Sequence, residues 1–189
     1  MNRVLWVCNI MLPAVGQALH LPCSNREGWL SGIFERVQSA KAPFALGICF
    51  PMDQGTLERA DGKRIGERVK EFSVGGTLCY AFAENLGAPE VYDSGMEEAF
   101  REILTGFEPD MIHVFGTEFP HTLAAVRACG RPERTLIGIQ GLCGEIARVY
   151  MADLPRKVQR AATFRDLVRR DSIRRQQEKF VLRGKYEAE

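Results

Sequence analysis

The stretch Pro109-Asp110-Met111-Ile112-His113-Val114-Phe115-Gly116-Thr117-Glu118-Phe119-Pro120-His121 most constrains what this chain can become. Met111 to Phe115 reads as a short apolar strand, with Pro109-Asp110 as the stop signal before it. Gly116 breaks the strand, and Thr117, Glu118 and His121 fall at its carboxyl end. Thr122-Leu123-Ala124-Ala125-Val126 then opens a helix. A strand that runs through a polar turn into a helix is half of a βαβ unit. In open parallel sheets the crevice beyond the carboxyl ends of the strands is where ligands bind. Thr117, Glu118 and His121 are therefore the first site candidates.

The rest of the chain repeats that grammar. Arg3 to Ile10 is a near-continuous apolar run, as in a strand buried on both faces. A long loop, Met11 to Glu27, follows, with Pro13, Gly16, Pro22, Ser24 and Asn25; loops of this length are usually functional or mobile. A helix is expected from Gly28 to about Gln38, and a second buried strand from Phe44 to Phe50, ended by Pro51. Gly75-Gly76 between two apolar runs is a hairpin signal. Met96 to Phe107 has helical spacing, with Met96, Ala99, Phe100, Ile103 and Leu104 on one face. Thr135 to Ile139 is a further strand, with Gln140-Gly141-Leu142 at its end. Thr163 to about Arg183 reads as one long helix ended by Arg183-Gly184; Thr163 and Asp166 have capping-box spacing, and Phe164, Leu167, Val168, Phe180 and Val181 form its apolar face. Alternating strands and helices predict an α/β fold, a Rossmann-like parallel sheet flanked by helices. The expected organisation is one domain over 1–189, a core to residue 155 and a basic helical segment over 156–189.

Charge separates those two parts. Residues 156–189 carry 11 Lys+Arg against 5 Asp+Glu, a net of +6, within a chain whose formal net charge is +1. Six cysteines show neither CxxC nor metal-ligand spacing, and Cys8 and Cys49 sit inside apolar runs as small hydrophobes. A disulfide framework and a zinc site are not expected, and a reducing cytoplasm fits best. No run approaches the roughly 18 apolar residues of a membrane span.

Four passages resemble glycosyltransferase family 4: Val4 to Pro13, Gly28-Trp29-Leu30-Ser31-Gly32, Pro109 to His121, and Ile137 to Leu142. The segment Phe180 to Glu187 also looks like that family's approach to a second domain. The resemblance implies the N-terminal half of a two-domain GT-B fold, which binds the acceptor while the absent C-terminal domain binds a nucleotide sugar such as a UDP- or GDP-sugar. It implies transfer with retention, no bound metal, and an isolated first domain that is inactive. The acceptor would be a saccharide or lipid-linked glycan of polysaccharide or glycolipid synthesis. Glu118, His121 and Gln140 would then be the catalytic group, and Thr117, Gly141 and Glu145 acceptor contacts. Gly16, Gly28 and Trp29 would face the donor phosphate. Gly28 is followed by Trp29 where the family commonly pairs glycines, and Gln140 stands where many relatives have histidine.

Each candidate also has a plainer role. His113, inside a strand, has the ordinary position of a structural histidine. His121 either contacts acceptor or caps its helix. Glu118 and Glu145 suit helix-dipole stabilisation as well as sugar binding, Thr117 and Gln140 are also ordinary turn and strand-end residues, and Trp29 and Tyr150 suit a core as well as a sugar face. The basic segment reads as a solvated Arg-rich helix paired with Asp166, Asp171 and Glu178, or as a peripheral contact for an anionic membrane; nucleic-acid motifs are absent. Two function classes stay open: the acceptor domain of a retaining glycosyltransferase, or a non-catalytic Rossmann-like module using its basic helix.

Overall fold

The central strands bury both faces, and the alternation along each strand shows how. In β1 (Asn2–Val7) Leu5 and Val7 enter one core layer, while Trp6 and the following Cys8 enter the other. The structure, a computed structural model, describes residues 1–22, 28–40, 42–169 and 171–189. After β1 come helices α1 (Pro13–Ala18) and α2 (Gly28–Ser39), strand β2 (Phe44–Met52) and helix α3 (Gln54–Arg59). Strands β3 (Lys63–Arg64), β4 (Val69–Val74) and β5 (Thr77–Ala83) follow, then α4 (Gly95–Phe107), β6 (Met111–Phe115), α5 (Pro120–Cys129) and β7 (Thr135–Gly138). Helices α6 (Cys143–Val149), α7 (Arg156–Gln159), α8 (Phe164–Arg169) and α9 (Ile173–Glu187) complete the chain.

The seven strands form one sheet in the order β3-β4-β5-β2-β1-β6-β7. β5, β2, β1, β6 and β7 are parallel, and the β3–β4 ribbon joins the β5 edge antiparallel. Side chains of α1, α2 and α3 pack in the layer of Trp6, Ile48 and Phe50; those of α4 and α5 pack in the layer of Leu5, Val7 and Ile112. The expected α/β Rossmann-like architecture is present. Its strand order reverses between β1 and β6, which places a ligand crevice at their carboxyl ends.

Several local expectations need correction. The loop expected over Met11 to Glu27 contains α1, with Pro13 in its first turn as the fixed φ of proline favours; residues 23–27 lie outside the described residues, Cys23 among them. Pro51 does not end β2, which continues to Met52. Cys49 O accepts from Cys8 N, so Cys49, and with it Pro51 two residues on, faces β1. The β1–β2 register stops at Val7↔Cys49, and the N–H that proline lacks has no neighbouring strand to reach. The long helix expected over Thr163 to Arg183 is two helices, because Ser172 caps α9 by accepting from Arg175 N. The Leu167 side chain, expected on its apolar face, lies outside the described residues. The capping box itself is present, with Thr163 N donating to Asp166 and Asp166 N to Thr163 Oγ1 at 2.8 and 3.2 Å. Gly75 and Gly76 both take positive φ, +57° and +82°, the turn geometry a two-residue hairpin demands.

Gly184 does not stop α9, which passes through it. A Cβ there would stand 2.7 Å from Gly144 Cα and N, so the glycine lets α9 lie directly on α6. Glu187 then accepts from Cys143 N and Gly144 N at the start of α6. Tyr186 donates to Glu90 O at 2.8 Å and accepts from Tyr92 N at 3.1 Å. The basic segment is therefore anchored along α9, while Phe164 and Val168 on α8 stay largely exposed. At the other edge Lys70, almost fully buried, donates to Glu58 O and Ala60 O and closes the end of α3.

Candidate functional site

Beyond Phe115 the backbone of Gly116 turns at φ +87° and donates to Gly138 O at 2.7 Å. That turn lifts Thr117, Glu118 and Phe119 over the ends of β6 and β1 and starts α5 at Pro120. His121, in the first turn of α5, is completely buried. Its Nδ1 lies 2.9 and 3.1 Å from the two oxygens of Glu84, the residue after β5. Its Nε2 lies 3.2 Å from Asn9 Oδ1, two residues after β1. Glu84 and Asn9 Oδ1 both only accept, so each ring nitrogen donates, Nδ1 to Glu84 and Nε2 to Asn9, and that orientation of the amide turns Asn9 Nδ2 away from the ring. Phe119 stacks on the imidazole at 5.4 Å and 9°, and the Phe82 ring lies 5.4 Å from it, tilted at 57°. One imidazole thus ties together the ends of β1, β5 and β6.

Above it, polar atoms are left unpaired. Among the described residues, Asn9 Nδ2 and Glu118 Oε2 are both buried without a hydrogen-bond partner. A Cβ built on Gly116 would overlap Glu118 Oε2 and stand 3.2 Å from Asn9 Nδ2, so the two atoms flank one point above Gly116. Glu118 Oε1 lies 3.6 Å from where Gly141 would carry a Cβ. The carboxylate occupies the gap between two glycines, at the ends of neighbouring strands. Arg183 of α9 fixes this turn from outside: its Nε donates to Glu118 O, and its guanidinium lies 4.8 Å over the Phe119 ring. Beside the turn a cavity of about 500 Å³ opens between Asn9, Met11, Met52 and Phe119.

The sequence candidates separate on this geometry. Glu118, Thr117 and Gly141 come together, with Thr117 Oγ1 donating to Gly141 O at 3.4 Å. Gln140 is exposed at the end of β7 on the same side of the sheet. His121 is neither a surface contact nor a cap; it is a buried partner of Glu84 beneath Phe119. Glu145 is exposed and paired with Arg148 at 2.6 Å. Gly16 is buried inside α1 with its N–H donated to Leu12 O, which corrects the expectation that it presents an N–H to a diphosphate. Gly28 is exposed, and a Cβ there would meet nothing within 4 Å among the described residues, while Trp29 is half-exposed with its edge on Phe115 at 5.7 Å. His113 is half-buried against Phe115 and Trp6, and burial holds it below the usual histidine range. Burial likewise pushes the Cys79 thiol up to about 12. No group of three or more His, Cys, Asp or Glu among the described residues could hold a metal ion.

Asn9 and Glu84 were not singled out from the sequence as site residues. Each lies within two residues of the carboxyl end of a buried strand, which is the signal that finds them once the sheet order is known. No protein-family model matches the chain, and no curated protein matches it.

Proposed function

We propose that this chain is the acceptor-binding domain of a retaining, nucleotide-sugar-dependent glycosyltransferase. The observation that carries the reading is a pair of polar atoms without a hydrogen-bond partner among the described residues, Asn9 Nδ2 and Glu118 Oε2, flanking Gly116 at the switch point of a parallel sheet. A buried polar atom without a partner costs about 1–3 kcal/mol, and a ligand hydroxyl that accepts from the amide and donates to the carboxylate removes both costs. Both atoms are screened from solvent, so the hydroxyl enters as the partly exposed Glu118 side chain rotates. In a front-face transfer the departing phosphate takes the acceptor proton, and the protein's part is to position and polarise that hydroxyl. Glu118 performs this role, Thr117, Gly141 and Gln140 border it, and the His121–Glu84 pair holds Asn9 in place. The donor belongs to a second domain, with Gly28 and Trp29 nearest its phosphates. Exposed Phe164 and Val168 beside Arg165 and Arg169 on α8 suit contact with an anionic membrane carrying the acceptor.

Two measurements test this. Calorimetric titration of residues 1–189 with UDP- and GDP-sugars should give nothing tighter than about millimolar, roughly −4 kcal/mol; specific micromolar binding sinks the acceptor-side assignment. Donor hydrolysis and transfer by the full-length protein over a panel of nucleotide sugars should reveal transfer. Failure with every donor favours the non-catalytic module.

A further inference from the structure

The cavity beside the buried pair has walls whose chemistry selects a ligand. Its volume of about 500 Å³ lies in the range of small-molecule sites. Met11, Met52, Leu86 and the Phe119 ring supply apolar walls, and its polar side chains are Asn9, Asp53 and Thr56. No Lys, Arg or His among the described residues lines it. Hydrogen bonds from the Thr56 hydroxyl and backbone N–H hold the Asp53 carboxyl below its usual range, so it is ionised at neutral pH. A phosphate or carboxylate entering here would meet the like charge of Asp53 and apolar walls, while the Arg59 guanidinium beside them is already engaged with Thr56 Oγ1 at 3.5 Å and with Asp53, which disfavours the anion. An uncharged hydrocarbon group would exchange water for apolar contact, which favours it. Asn9 belongs to both the cavity and the crevice over Gly116, so a molecule filling the cavity with an apolar body carries its polar end to Asn9 and Glu118.

We propose that this cavity binds the uncharged alkyl or aryl aglycone of an amphiphilic glycoside, whose sugar lies over Gly116 between Asn9 and Glu118. Naming that glycoside as the acceptor rests on the glycosyltransferase reading; its binding does not. The test is methyl-methionine NMR on the chain, titrated with hexyl, phenyl and methyl β-D-glucosides, 1-hexanol and UDP. Hexyl or phenyl glucoside should shift Met11 and Met52 and leave Met96, in the opposite core layer, unmoved. Whichever of the two binds more tightly tells an alkyl from an aryl aglycone, and it should bind at least tenfold more tightly than methyl glucoside or 1-hexanol. Leu86 is half-exposed, so Leu86→Asp should fold and weaken that glycoside at least tenfold. Glu118→Gln should weaken the glycoside and leave 1-hexanol unchanged. Unmoved Met11 and Met52 signals, equal binding of 1-hexanol and hexyl glucoside, or equal shifts by UDP would overturn the assignment. Transfer to unsubstituted sugars with an empty cavity would sink this inference alone. Glycoside binding without transfer from any donor would sink the glycosyltransferase reading alone.

Discussion

At the scale of single residues, replacing His121 strands a carboxylate. Glu84 is nearly buried and takes its hydrogen bond from the imidazole, and a buried pair that loses one partner costs about 3–5 kcal/mol. His121→Leu should lower stability by that order in denaturant titration, and the double change Glu84→Leu with His121→Leu should recover much of it. A double variant no more stable than the single one would mean that the pair is not the cause. Glu118→Gln tests function instead, because it keeps shape and removes charge. In the full-length protein it should lower transfer by about 10²-fold or more with an unchanged thermal midpoint; full activity removes Glu118 from the site. Glu118 was legible in the sequence because it stands between a strand and a helix. Glu84 was not, since the β5–β2–β1–β6 order alone brings it to a histidine 37 residues away.

At the scale of elements, glycine and proline carried the ambiguity. The same Gly184 that reads as a helix stop is the point of closest approach between α9 and α6. Gly184→Ala should keep α9 helical and force it away from Gly144, costing about 1–3 kcal/mol. Faster hydrogen exchange over 173–187, with β1 and β2 unchanged, is the expected signature; unchanged protection would mean that α6 shifts to make room. Pro51 shows the converse case, a proline read as a stop that a locally unpaired strand edge accommodates.

For the whole molecule, acidification should act in two stages. Burial keeps His113 neutral in the fold and lowers its pKa. Its contribution is whole above the ordinary value of about 6.5 and is lost as pH falls through the lower folded value. Burial alone would raise Asp93, but the Arg68 guanidinium at 2.6 Å and the Gly95 N–H bring it below the usual carboxylate range. Glu97 is lowered first by Tyr92, whose hydroxyl donates to it. These two contributions are whole above about 4 and fail as pH drops further. Between pH 7 and 5, His113→Gln should lose less stability than the unaltered chain; equal losses would exclude His113.

The alternation of apolar strands with amphipathic helices determined the α/β class, the hairpin at Gly75-Gly76 and the capping of α8 by Thr163 and Asp166, because all of these are local. Period-2 burial, positive φ and a cap three residues away need no distant partner. The site was decided by tertiary structure. Strand order, the docking of α9 through Gly184 and Arg183, and the meeting of Asn9, Glu84 and His121 depend on contacts between residues far apart in the chain. No local spacing encodes which strand ends become neighbours; that follows from how the two core layers pack against the sheet.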